Sequence, residues 1–313
     1  MKFLKISFLL FFCLATDAVT VDTNHANVSL VKFENVKEGK SQTLIGIRMD
    51  MQENWHTYWK NPGDSGGPIK VKWSHDENIA ISDLYWPTPI LIPYEPLMTY
   101  GYKNFVIFPY EINNYNDQNS FIEANIDFLI CDDICVPEKA LIKTNLNEIK
   151  NDAELYDWFL KVPSQILPVR ASLDSEFINI RFSWPLNVGS AIFFIDNQDI
   201  IKHASDQNLI KEENIYLLKI KKLDDLKSFE YLSGVLTIND NESYIIDTEI
   251  ENTTENSLNI SFLQALIFAF VGGLILNLMP CVFPIISLKV LSFVSMSNQS
   301  PSKIRAHSLS FCA

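Results

Sequence analysis

The chain has 313 residues, of which 47% are apolar and 20% are charged, and its formal net charge at pH 7 is -13. This length and apolar content allow a hydrophobic core that is divided between two domains. The sequence contains no long basic block, so nucleic acid is excluded as an expected partner. Five cysteines in a chain of this length are too few for a small fold held together by disulfides.

The N-terminus has the pattern of a secretory signal peptide. Lys2 and Lys5 precede an apolar run over residues 8–15, and small residues follow up to Ala18. The apolar run is too short to span a bilayer, so we expect residues 1–18 to be removed after export. Export brings the chain into an oxidising compartment, where the remaining cysteines can pair.

Residues 19–145 are predicted to form an antiparallel β-sandwich. Short runs of alternating apolar and polar residues, such as residues 43–49 and 69–73, are separated by Pro, Gly, Asn and Asp. Alternation with a period of two at this spacing is typical of antiparallel strands. Four prolines exclude a helix over residues 86–97.

A helical linker over residues 146–165 is followed by a second predicted sandwich over residues 166–250. Apolar side chains that share one face predict a short helix at residues 146–160. Alternation then resumes, which predicts another, smaller β-sandwich with a spacing or docking role. His203 stands alone in a polar stretch, and we interpret it as a surface histidine without a catalytic role.

The C-terminal part has the pattern of a membrane anchor. Residues 251–260 are polar and acidic, which is typical of a linker, and residues 261–295 are almost wholly apolar. A run of this length predicts one transmembrane helix, so the lipid bilayer is an expected partner. Basic residues follow the span and acidic residues precede it, so we expect an exported N-terminal part and a cytoplasmic tail over residues 296–313.

Two cysteines lie four residues apart after the strand-like run of residues 121–130. Cys131 and Cys135 can form a disulfide only if the chain turns between them. Because so short a loop constrains the unfolded chain little, the pair is better suited to exchange than to stabilisation. Asp132 and Asp133 disfavour a nearby thiolate, so the pair is predicted to act first as an oxidised acceptor and then as a dithiol that passes on both electrons.

A second group of residues lies within the predicted membrane helix. Asn277, Pro280 and Pro284 surround Cys281, and the two prolines are costly in a plain anchor because each removes a backbone donor. Broken helices at membrane depth are tolerated where they line a cavity or pack inside a bundle. An isolated cysteine in such a helix is commonly a small apolar filler, but this frame favours a functional thiol at a kink.

These residues resemble a known family. Residues 131–138 (CDDICVPE), 55–66 (WHTYWKNPGDSG) and 98–102 (MTYGY) resemble the N-terminal domain of the DsbD and ScsB thiol:disulfide interchange proteins. Residues 274–289 are similar to the first helix of the membrane module in the same family. The resemblance implies a mainly β fold, with two immunoglobulin-like antiparallel β-sandwich domains followed by one transmembrane α-helix.

The resemblance also implies a relay of reducing equivalents at the bacterial inner membrane. Cytosolic thioredoxin reduces a cysteine pair in the membrane module, which reduces a thioredoxin-like domain, which reduces the periplasmic N-terminal domain. That domain reduces exported disulfide isomerases, cytochrome c maturation proteins or copper-tolerance partners. The expected partners are therefore thioredoxin-like proteins and periplasmic substrate proteins, and the expected activity requires neither a cofactor nor a metal.

The family assigns roles to individual residues by position. Cys135 would form the mixed disulfides, and Cys131 would resolve them. Tyr58, Met98 and Tyr100 match segments that flank and cover the cysteine pair in the family. Cys281 would be one half of the cysteine pair in the membrane module.

The family continues beyond the point at which this sequence stops. Its further membrane helices include one that carries the partner of Cys281, and its last domain carries another cysteine pair. We therefore expect a truncated or split member, which cannot carry electrons across a membrane by itself.

Two other interpretations of the same residues are open. In the first, the chain is a membrane-anchored binding module in which Cys131 and Cys135 form a structural disulfide. In the second, the two thiols and Met98 bind Cu(I), for which thiolate and thioether sulfurs are suitable ligands. The binding module leaves Pro280 and Cys281 without a function, and the residues around the cysteine pair fit thiol exchange at least as well as copper binding.

Overall fold

The computed structural model describes residues 19–37, 40–115, 120–213, 215–226, 229–252 and 262–277. Two compact units are present, one that ends at residue 253 and one that begins at residue 254. The predicted signal peptide, Pro280, Cys281, Pro284 and the predicted tail lie outside the described residues.

The first sandwich is built from twelve described strands, one 3₁₀ helix and one α-helix. In chain order these are β1 (Thr20–Asp22), β2 (Ala26–Lys37), β3 (Lys40–Met51), β4 (His56–Gly63), β5 (Lys70–His75), β6 (Ala80–Ile81), β7 (Ile90–Tyr94), β8 (Leu97–Lys103), β9 (Phe105–Asn113), β10 (Phe121–Cys131), β11 (Cys135–Asn145), the 3₁₀ helix (Leu146–Glu148), β12 (Lys150–Asn151) and α1 (Glu154–Leu160).

These strands form two sheets that enclose one hydrophobic core. The first sheet has the order β1-β2-β3-β9-β6, with β12 beside β2, and the second has the order β11-β10-β4-β8-β7, with β5 beside β10. All pairings between neighbouring strands are antiparallel except that of β12 with β2. Alternate side chains fill the core, including the fully buried Ile47, Trp59 and Phe108. The prediction of an antiparallel sandwich is confirmed.

The helix after this sandwich is shorter than the predicted span of residues 146–160. Its N-terminal part is a 3₁₀ turn followed by β12, because Lys150 and Asn151 pair with β2. The remaining helix α1 packs on the first sandwich through Leu155, which is fully buried in the core. Gly46 on β3 provides the room, since a Cβ atom there would lie 2.7 Å from Leu155 Cδ1.

The second sandwich is a seven-stranded sheet folded around its own core. Its strands are β13 (Val169–Leu173), β14 (Phe177–Ser183), β15 (Ala191–Ile195), β16 (Asn208–Glu212), β17 (Ile215–Lys221), β18 (Tyr231–Ile238) and β19 (Glu242–Asn252). Their order is β15-β18-β19-β13-β14-β17-β16. The pairing of β13 with β19 is parallel and joins two antiparallel halves. Ile180, Phe193 and Ile246 come from different parts of this sheet and are fully buried in the same core.

The two sandwiches pack against each other through β15. Its residues alternate between two cores, since Phe193 lies in the core of the second sandwich whereas Phe194 is buried among residues of the first. The ring of Phe194 meets Trp59 of β4 and Tyr100 of β8 edge-on, at centroid distances of 6.2 and 5.1 Å. Strands β4 and β8 are therefore held from both sides.

The C-terminal unit contains the helix α2 (Phe262–Asn277). Within the described part of the chain, no helix combines the length and the apolar character that a membrane span requires. Asn277 is the last residue of α2, and most of the predicted span of residues 261–295 lies outside the described residues.

Candidate active site

The two cysteines of the soluble part close a hairpin between β10 and β11. The antiparallel register places Cys131 directly opposite Cys135, and residues 132–134 form the turn. The Cα atoms are 4.2 Å apart and the two sulfurs form a disulfide. The turn between the cysteines, which any disulfide at this spacing requires, is thus supplied by a β-hairpin.

The two sulfurs differ in their access to solvent. Cys131 is 2% exposed, because the last residue of β10 also pairs with His56 of β4 and therefore lies inside the sheet. Cys135 is exposed, because it begins β11, the edge strand of the same sheet. Ile134 at the tip of the turn is 68% exposed. A thiolate that approaches from solvent thus meets Cys135 first, beside an apolar side chain.

Tyr58 contacts both sulfurs from β4. Its hydroxyl donates a hydrogen bond to Cys131 Sγ at 2.6 Å and lies 3.2 Å from Cys135 Sγ. The side chain is buried, and this burial raises the pKa of Tyr58 to about 12. The phenol therefore keeps its proton at neutral pH and can act as a donor beside the disulfide.

A loop after β4 covers Tyr58. Gly66 has a φ of +99°, and a Cβ atom there would lie 2.2 Å from the tyrosine ring, so only glycine fits. Met98 of β8 holds this loop through two hydrogen bonds: Asp64 N–H donates to its carbonyl at 3.0 Å, and its own N–H donates to Asp64 Oδ2 at 2.8 Å. We call residues 63–67 and Met98 the cover.

His56 lies next to the disulfide, although its sequence motif alone gave it no role. It pairs with Cys131 across the sheet, and its ring meets that of Tyr58 edge-on at 5.3 Å. Burial, assisted by the charge of Lys103, lowers the pKa of His56, whereas Asp132 opposes this effect. The alternation of strand side chains could have identified it, because His56 and Tyr58 are two residues apart and share a face.

Tyr100 interacts with a different partner from Tyr58. Its hydroxyl is hydrogen-bonded to Nδ1 of His203 at 2.9 Å, within the contact between the two sandwiches. The prediction that His203 is a surface residue is wrong, since it is 7% exposed. The loop between β15 and β16 folds against β8 and buries this histidine, and its polar sequence gives no sign of that contact.

Met98 lies in the cover, but the cysteine pair lacks free thiols in this oxidised state. Both sulfurs are in the disulfide, so neither is a thiolate that could bind a metal. Among the described residues, no group of three or more His, Cys, Asp or Glu side chains could hold a metal ion. The predicted membrane site at Cys281 is outside the described residues.

Comparisons with known proteins support the resemblance seen in the sequence. Residues 28–147 match the family "Thiol:disulfide interchange protein DsbD, N-terminal". The crystal structure of the N-terminal periplasmic domain of ScsB from Proteus mirabilis is similar, with a TM-score of 0.58 and 18% sequence identity. The similarity covers 74% of this chain and 96% of that one, so the two share a fold. A search of curated protein sequences gave no significant match.

Proposed function

Because residues 28–147 form an N-terminal domain of the DsbD type, we propose that this chain exchanges thiols and disulfides with other proteins through Cys131 and Cys135. The observation that carries the proposal is the unequal placement of the two sulfurs. Cys135 is open to an incoming thiolate, whereas Cys131 is buried beside the hydroxyl of Tyr58.

Reduction begins with an attack on the exposed sulfur. The thiolate of a thioredoxin-like donor attacks Cys135 Sγ, a new S–S bond forms, and the bond to Cys131 breaks. Cys131 leaves as a thiolate and takes up a proton. The second donor thiolate then attacks the donor sulfur of the mixed disulfide and releases Cys135. The pair has gained two electrons and two protons, and the donor has become a disulfide.

The reduced pair passes its electrons on by the reverse chemistry. Cys135 attacks a disulfide of an exported substrate protein, and Cys131 then attacks Cys135 Sγ, which releases the reduced substrate and restores the disulfide. Candidate substrates are disulfide isomerases, cytochrome c maturation proteins and copper-tolerance partners. The exposed Ile134 offers each partner an apolar contact next to the reacting sulfur.

Tyr58 is proposed to stabilise the leaving sulfur. Its hydrogen bond to Cys131 becomes charge-assisted when that sulfur departs as a thiolate, and such bonds are stronger than neutral ones. Asp132 and Asp133 act in the opposite sense, because their carboxylates are exposed near the same sulfurs and disfavour a thiolate. The balance favours a pair that reacts first as an acceptor.

The remaining parts of the proposal concern location. We place both sandwiches, which we take to be immunoglobulin-like, in the periplasm, and we propose that α2 begins a membrane helix over residues 261–295. In that helix Asn277, Pro280 and Pro284 would form a kink that exposes Cys281. Met98 and Tyr100 belong to the strand that shields the disulfide.

The test is equilibration of the full chain with a thioredoxin-like protein. We expect the Cys131–Cys135 couple to have a reduction potential above about -300 mV, the range below which structural disulfides resist reduction. A disulfide that stays oxidised in excess reduced thioredoxin would contradict the proposal. Cys131→Ser should trap partners as mixed disulfides and Cys135→Ser should not, and equal trapping by both would overturn the assigned roles.

A further inference from the structure

One side chain of β4 connects the cover to the second sandwich. Asn61 is fully buried, and its side-chain amide donates hydrogen bonds to the carbonyls of Ile195 at 2.7 Å and Asn197 at 3.3 Å. Its Oδ1 accepts a hydrogen bond from the N–H of Gly63 at 3.0 Å. The same amide therefore fixes both the end of β15 and the first residue of the cover.

The other strand that frames the cover is also tied to the second sandwich. Tyr100 lies on β8, two residues after Met98, and its hydroxyl is hydrogen-bonded to His203 at 2.9 Å. Its ring packs edge-on against Phe194 of β15 and against His203 itself. Both strands from which the cover extends are thus held by β15 and the loop that follows it.

The cover in turn fixes the geometry at the disulfide. Gly66 lies against the ring of Tyr58, and Asp64 is bonded at two points to Met98. A displaced cover would let the ring of Tyr58 move, and its hydroxyl would leave Cys131 Sγ. A path of direct contacts therefore runs from the second sandwich to the sulfurs.

We propose that the second sandwich positions the cover of the Cys131–Cys135 disulfide, with Asn61, Tyr100 and His203 as positioning residues. This inference rests on the proposed exchange function and deepens it. The second sandwich keeps small thiols away from the disulfide, and a protein partner that docks at the hairpin can displace the cover. It thereby favours protein donors over small ones.

The polar nature of these contacts supports a positioning role. The apolar contact of Phe194 with Trp59 and Tyr100 would be sufficient to hold the two sandwiches together. Hydrogen bonds add direction, since a buried amide or imidazole is costly unless its partner lies in one place. Asn61 and His203 therefore define where the cover lies.

The experiment compares two reductants on the full chain. His203→Phe and Tyr100→Phe each remove the same hydrogen bond and keep an aromatic ring in place. We expect each variant to be reduced about fivefold faster by dithiothreitol, the change that corresponds to one lost buried hydrogen bond, while reduction by thioredoxin stays within about twofold of the unmodified rate. The double variant should show the same increase as either single variant, because both lose one shared bond.

Two controls separate positioning from general destabilisation. His203→Asn keeps a hydrogen-bonding group near the position of Nδ1 and should restore the slow reaction with dithiothreitol. Asp224→Asn removes the exposed ion pair with Lys202, away from the cover, and should leave both rates unchanged. Unchanged dithiothreitol rates in both aromatic variants, or equal acceleration by both reductants, would overturn the inference. A disulfide that reacts with dithiothreitol but never with thioredoxin would instead refute the proposed function.

Discussion

The two sandwiches share one alternating sequence pattern, but they use their polar residues differently. In the first, His56 and Tyr58 surround a disulfide at the edge of a sheet, where one sulfur is buried and the other meets solvent. In the second, buried polar side chains either secure its own turns, as Asn179 does with Asp174, or reach into the first sandwich, as His203 does. A β-sandwich thus gains reactivity where an edge strand exposes a group that its neighbour buries.

The largest predicted effect separates stability from chemistry. Phe193 is fully buried in the second core, so Phe193→Ala should lower the free energy of unfolding by about 3–5 kcal/mol. The rate of disulfide reduction should stay unchanged at temperatures where the variant is folded, because Phe193 points away from the first sandwich. Urea denaturation followed by far-UV circular dichroism measures the first quantity, and thiol trapping measures the second.

Phe193→Leu is the matched control for this change. It keeps most of the buried volume and should cost less than Phe193→Ala. A reduction rate that changed tenfold in folded Phe193→Ala would show that the second core takes part in the chemistry, and the comparison between the two sandwiches would then fail.

The next effect acts on the cover. Gly66→Ala places a side chain at positive φ and against the ring of Tyr58, so we expect a loss of about 2–3 kcal/mol in stability. The displaced ring should also leave the disulfide more open to dithiothreitol. Gly189→Ala is the control, because a Cβ atom there meets only ordinary contacts. A Gly66→Ala protein as stable as the unmodified chain would show that the cover has room to spare.

Sequence patterns predicted the framework of the first sandwich well. Period-two alternation identified the strands, and the spacing of Cys131 and Cys135 identified the hairpin, because both signals are local in the chain. The same pattern could have placed His56 and Tyr58 on one face. The motif gave no reason for Gly66, whose φ and closeness to Tyr58 depend on the folded loop.

Long-range contacts could not be predicted in this way. Tyr100 and His203 are 103 residues apart, and nothing in either segment signals that they meet. The predicted helix over residues 146–160 was too long, because Lys150 and Asn151 pair with β2 instead of continuing a helix. In both cases tertiary packing decided the outcome over local preference.

A smaller effect tests the role of one hydroxyl. Tyr58→Phe keeps the ring under the cover but removes the donor to Cys131 Sγ, so the leaving thiolate loses a charge-assisted hydrogen bond. We expect reduction by thioredoxin to slow about tenfold, since such a bond contributes about 1.5–3 kcal/mol. Tyr94→Phe, at an exposed position on β7, is the control. Equal rates for Tyr58→Phe and the unmodified chain would remove Tyr58 from the mechanism.

The smallest effect is a dependence of stability on pH that should arise in both regions. Burial lowers the pKa of His56 and of His203, in the first case with help from Lys103 and against Asp132, and in the second against Asp64 and Asp199. The unfolded chain therefore binds protons more readily than the folded one as the pH falls below about 6.5, and unfolding is favoured.

The contribution of these histidines is fully present above their unfolded pKa and is lost on acidification, so the melting temperature should fall between about pH 7.5 and about pH 5.5. Most carboxylates stay ionised over that window, which leaves the histidines as the main source of the change. His203→Asn has no group that titrates in this range and should flatten part of the dependence. An unmodified chain whose melting temperature rises on acidification would show that the folded state prefers these histidines charged, and the buried Tyr100–His203 contact would then need a different protonation state from the one inferred here.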